Sequence, residues 1–69
     1  METGTVIAVS RNGGMIKVRS TTTVATVEML GDEGELSVGD VVRGNWRSLG
    51  GETIYRDGQA FDVFIQDFA

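Results

Sequence analysis

The chain predicts an all-β fold, a small antiparallel barrel of five to six strands. Three observations predict it: short β-branched runs recur, glycine-bearing turns separate them, and no stretch shows helical spacing. Proline is absent throughout.

The first strand reads as Thr3–Ser10, and Arg11-Asn12-Gly13-Gly14 behind it supplies residues that tolerate the positive φ of a tight hairpin turn. The second runs over Met15–Arg19. Ile16 and Val18 alternate there with Met15, Lys17 and Arg19, which gives one packed face and one wet face. Thr21-Thr22-Thr23 leads into a third strand, Val24–Leu30, with Ala25, Val27 and Met29 on one face and Thr26 and Glu28 on the other. Gly31–Glu35 is an acidic, glycine-punctuated segment too polar to pack, so a solvated loop is expected.

Leu36 re-enters the core, and Ser37–Asp40 turns the chain into a fourth strand, Val41–Trp46. Val42, Gly44 and Trp46 share one face of it, with Arg43, Asn45 and Arg47 opposite. After Ser48–Gly51, strands Glu52–Arg56 and Gln59–Gln66 flank Asp57-Gly58, the strongest hairpin signal in the chain. A two-residue loop sets Ile54 against Phe61, with Val63 and Ile65 on the same side and Tyr55, Asp62, Phe64 and Gln66 on the other. The expected core is Val6, Ile16, Val18, Val27, Leu36, Val42, Trp46, Ile54, Phe61, Val63 and Ile65.

Residues 1–69 read as one domain, since a chain this short buries only roughly 60% of its unfolded surface and has no capacity for two cores. It has neither cysteine nor histidine, which removes disulfides, the common zinc sets and the usual apparatus of acid–base or nucleophilic catalysis. Non-enzymatic binding is therefore expected, with no cofactor and no metal. The acidic segment also lacks the alternating ligands of a calcium loop. No apolar run is long enough to span a bilayer and the start resembles no signal peptide, so a cytoplasmic, non-membrane setting is expected.

The formal net charge of −4 opposes non-specific attraction to phosphates, yet it is unevenly spread. Residues 1–27 carry Arg11, Lys17 and Arg19 against Glu2 alone, whereas residues 28–69 carry nine acids against three arginines. An anion site is expected on the first hairpin.

Thr3-Gly4-Thr5-Val6, followed by a glycine turn and a second strand, resembles the opening of a cold-shock domain, a barrel of the oligonucleotide-binding (OB) type. Leu36-Ser37-Val38-Gly39-Asp40-Val41-Val42 is similar to the turn-and-strand entry of such barrels, and together the two segments cover about half the chain. The resemblance implies an OB barrel that binds single-stranded RNA or DNA on its first three strands. Family members stack bases there on aromatic rings, at positions that here hold Ala8, Met15 and Lys17. All five aromatics, Trp46, Tyr55, Phe61, Phe64 and Phe68, come later.

Two readings of the surface stand side by side. Arg11, Met15, Lys17 and Arg19 form a nucleic-acid-binding face, with the cations on phosphates and Met15 against a base; or the charges only keep the hairpin soluble. Arg43, Asn45 and Arg47 extend that face if the fourth strand abuts it, or else balance Glu28, Asp32, Glu33 and Glu35. Trp46 reads as core beside Gly44, and the glycine clusters read as turns rather than phosphate cradles. Phe64 and Phe68 either mark a partner surface or rotate inward at a barrel corner. Two functions follow: weak single-strand binding through the basic hairpin, or a protein-interaction or structural barrel that binds a protein partner or itself through Phe64 or an edge strand.

Overall fold

The computed structural model describes residues 1–31 and 34–69, and Asp32 and Glu33 of the predicted acidic loop lie outside them. The described chain forms six strands: β1 (Glu2–Val9), β2 (Met15–Ser20), β3 (Val24–Met29), β4 (Val41–Gly44), β5 (Gly50–Arg56) and β6 (Gln59–Phe68). They close into an antiparallel barrel in the order β1-β2-β3-β6-β5-β4, with β4 pairing back onto β1. The fold is all-β, consistent with a small barrel of the OB type. No helix among the described residues is long and apolar enough to cross a membrane.

Closure follows from alternation. Every expected core residue is buried, and Ala25 and Met29 join them from the inward face of β3. Val6, Val18, Val27, Val42, Ile54, Phe61 and Ile65 are wholly excluded from solvent. Burial of this apolar set, at roughly 25 cal/mol per Å², is the main term holding together a chain with no covalent staple.

The turns behave as their residues dictate. Asp57 (φ +51°) and Gly58 (φ +83°) both take left-handed backbone, so the two-residue loop matches strand twist and sets Arg56 against Gln59 and Ile54 against Phe61. In the β1–β2 turn, Asn12 Oδ1 accepts from Ser10 Oγ (3.0 Å) and the Gly14 amide (2.8 Å), and the Ser10 hydroxyl accepts from the Met15 amide (3.0 Å).

Trp46 is buried as expected, but β4 ends at Gly44, two residues earlier than alternation suggests. The chain leaves the ladder so that the indole can enter the core and donate from Nε1 to the Glu2 carbonyl at 2.7 Å. A second departure concerns the last aromatics. Phe64 pairs with Glu28 and faces out, 41% exposed. Phe68 pairs with Ala25 and packs against the core, because a register shift opposite Thr26 and Val27 absorbs Gln66 and inverts the parity beyond it.

Candidate functional site

The predicted site residues on β2 share one surface. Met15, Lys17 and Arg19 alternate with buried Ile16 and Val18, so Lys17 and Arg19 project into solvent and Met15 is half-buried. Arg11 is exposed in the turn that joins β1 to β2. Met15 and the stem of Lys17 line a shallow, mostly apolar groove of about 240 Å³ with Ala8 and Val9, and Lys17 Nζ donates to Thr26 Oγ1 at 3.1 Å.

Barrel closure adds to this surface what lay far away in the chain. β1 lies between β2 and β4, with Thr5 opposite Arg19 on one side and Val41 on the other, and Thr3 opposite Arg43. Arg19 and Arg43 therefore stand on either flank of one strand, two strand spacings apart and offset by two residues along it, a backbone separation of about 12 Å. Two grooves run beside Thr3. One, of about 410 Å³, is lined by Thr5, Ile7, Arg19 and Thr21; the other, of about 480 Å³, by Val41, Arg43, Tyr55 and Asp57.

Tyr55 is the residue that strand-by-strand reading misses. It belongs to β5, yet the register that closes the barrel sets it opposite Arg43 and brings one aromatic ring to the edge of the basic surface. Only the non-local β4–β5 pairing carries that signal.

Charge is sorted around the ring. Among the described strands, β4, β1 and β2 carry Lys17, Arg19 and Arg43 against Glu2, whereas β3, β6 and β5 carry Glu28, Glu52, Asp62 and Asp67 against Arg56. Lys17, Arg19 and Arg43 make no ion pair among the described residues. The Glu2 carboxylate accepts from Thr21 Oγ1 (2.9 Å) and Thr22 Oγ1 (3.1 Å), and these bonds, Thr21 foremost, hold its pKa below the usual range, so it stays ionised at that end of β1.

Among the described residues the ion pair is Arg56 Nη1 with Asp40 Oδ2 at 3.0 Å, and the Arg56 guanidinium also lies over the Phe61 ring at 5.6 Å. Asp32 and Glu33, two of the acids considered for balancing Arg43, Asn45 and Arg47, lie outside the described residues. Arg47 stands over Phe68, 6.0 Å from the ring centroid, and lines a groove with Met1 and Glu2 at the start of β1. Phe64 lies outside the basic surface. It occupies the row Met15–Glu28–Phe64–Gly51, two strands from Met15. No cluster of potential metal ligands is found among the described residues.

No protein-family model, curated protein or solved structure matches this chain.

Proposed function

We propose that the barrel binds single-stranded RNA or DNA without catalysis, across the outer face of β4, β1 and β2. The observation that carries this reading is the placement of Arg19 and Arg43 on both sides of Thr3 and Thr5, facing solvent and without a carboxylate partner among the described residues. Two guanidiniums flanking a row of hydroxyl donors suit a phosphodiester backbone, for which arginine supplies planar, paired donors. Lys17 and Arg11 prolong the cationic track towards the β1–β2 turn.

Base contact falls to Tyr55 at one end and to the Met15 groove at the other. With one ring available, stacking contributes once, roughly 1–3 kcal/mol, rather than over several bases. Affinity is accordingly weak, as the net charge of −4 also implies, and the phosphate contacts make it fall with salt. The cold-shock resemblance supports single-strand binding, and its expected surface on the first three strands shares β1 and β2 with this face.

The test is an amide chemical-shift titration with oligo-dT and oligo-U at low and then physiological salt. Shifts are expected at Thr3, Thr5, Lys17, Arg19, Arg43 and Tyr55, fading with salt, and not at Phe64. Absence of shifts at low salt overturns the reading.

A further inference from the structure

The surface opposite the basic face has a chemistry of its own. In the ring β1-β2-β3-β6-β5-β4, β6 is three strands from β1 in either direction, so the β3–β6–β5 surface lies across the barrel from the β4–β1–β2 surface. At its centre Phe64 stands 41% exposed opposite Gly51, where a side chain would meet nothing within 4 Å. Gly51 also lines a groove of about 360 Å³ with Leu30, Thr53 and Asp62, and Leu30 is 48% exposed. An exposed ring and leucine beside a side-chain-free floor form an apolar centre. Its rim is acidic, with Glu28, Asp62 and Asp67 on the same strands.

One complementary surface is already on the molecule. The β4–β1–β2 face carries Lys17, Arg19 and Arg43, and among them Val41 is an apolar residue 58% exposed. We infer that this chain associates head to tail with further copies of itself, the Phe64 face of one seated on the Arg19–Arg43 face of the next. Phe64 meets Val41 and the guanidinium of Arg43, while Asp62, Asp67 and Glu28 oppose the cations. Closure of the barrel removes the free edge that strand-to-strand pairing needs, so side chains rather than backbone make the contact. Because the two faces are different and lie on opposite sides, the contact is heterologous and propagates as an open chain instead of closing as a two-fold dimer.

Size limits the strength. The Cα extents are 26 × 23 × 19 Å, so one face covers at most about 600 Å² per copy, and the contact falls at the weak, transient end of protein interfaces. Association is thus expected only at high protein concentration and low salt. Oligonucleotide bound to the basic face competes with it.

The experiment is sedimentation equilibrium over a concentration series at low and physiological salt, with two variants. Arg19→Gln/Arg43→Gln removes the basic face, and Phe64→Ser/Asp62→Asn/Asp67→Asn removes the acidic one; all five positions are solvent-facing, so both variants retain the fold, as circular dichroism would check. For the wild type, the weight-average mass rises above one chain at low salt and falls back at physiological salt. Each variant alone stays at one chain. Their mixture forms a two-chain species and nothing larger, since each variant keeps one intact face. A wild type that remains monomeric at low salt overturns the inference, and so does self-association of the Arg19→Gln/Arg43→Gln variant alone, which would mean Phe64 faces meeting each other. Neither outcome depends on whether nucleic acid binds.

Discussion

The indole of Trp46 lies between two strand glycines: a Cβ on Gly44 would fall 3.1 Å from its Cη2, and a Cβ on Gly4 would fall 3.1 Å from its Nε1. Gly44 belongs to β4 and Gly4 to β1, so the ring fills the seam where the barrel closes, and its Nε1 satisfies the Glu2 carbonyl there. Trp46→Phe leaves that part-buried carbonyl without its donor and opens a cavity under β1. The expected loss is about 2–4 kcal/mol. A domain of this size has a total stability on the order of 3–10 kcal/mol, so the variant should unfold at markedly lower urea. A loss under about 1 kcal/mol in circular-dichroism melts would refute this role for the ring.

The glycines themselves separate packing from backbone effects. A Cβ at Gly44 meets Ile54 Cγ2 at 2.7 Å as well as the indole, and one at Gly4 meets Val18 Cγ1 at 2.5 Å and the Arg19 carbonyl at 3.2 Å. Val18 and Ile54 are fully buried and have nowhere to retreat. Gly4→Ala and Gly44→Ala are each expected to cost about 1–3 kcal/mol through overpacking. Gly51→Ala meets open space on a strand and should leave stability unchanged or raise it by about 0.4–1 kcal/mol. Equal losses at all three sites would show that backbone conformation, not space, selects these glycines.

These same residues show what sequence reading reaches and where it stops. Alternation in Met15–Arg19 and Val24–Leu30 and the Asp57-Gly58 turn set the faces, the register of the last hairpin and the core, because each is a local signal. The strand order is not local, since a meander would lack the β3–β6 and β1–β4 pairings that close the ring. The place of Gly44 beside Trp46 is legible because it too is local. Gly4 is not: its fit against the indole depends on β1–β4 pairing across some forty residues. Parity fails for Phe68 since one bulged residue, Gln66, reverses every side chain after it and nothing in the letters announces it. The candidate site divides likewise. Lys17 and Arg19 share a face by spacing alone, whereas Arg43 and Tyr55 reach it only through closure.

Acid should weaken the barrel through two half-buried carboxylates. The bonds from Thr21 and Thr22 depress the Glu2 pKa, and the Ser37 amide, then Arg56, depress that of Asp40. A carboxylate whose folded pKa lies below its unfolded one contributes stability that is complete above the unfolded value and disappears as pH falls through the folded value. The loss therefore develops below pH ~4, not near neutrality. Urea midpoints measured from about pH 6 to pH 2 should fall in that range, with a shallower fall in Glu2→Gln and Asp40→Asn than in the wild type. Identical acid slopes in all three proteins would remove these two groups from the linkage.

Salt dependence distinguishes phosphate contacts from other effects of the arginines. Each phosphate neutralised on a single strand contributes about 0.7 to the slope of log K against log salt. Arg19→Gln and Arg43→Gln should each lower that slope by roughly this amount and weaken oligo-dT and oligo-U alike, because backbone contacts carry no sequence information. Tyr55→Ala should instead lower affinity by about 1–3 kcal/mol with little change in slope, the sign of a lost stacking contact rather than a lost charge. Arg47→Gln serves as the internal control, since this guanidinium lies over Phe68 and beside the Glu2 carboxylate, lines neither groove beside Thr3, and should leave the slope nearly unaltered. If Arg47→Gln lowers the slope as much as Arg43→Gln, the ligand follows overall charge, and the track across Thr3 and Thr5 is not its path.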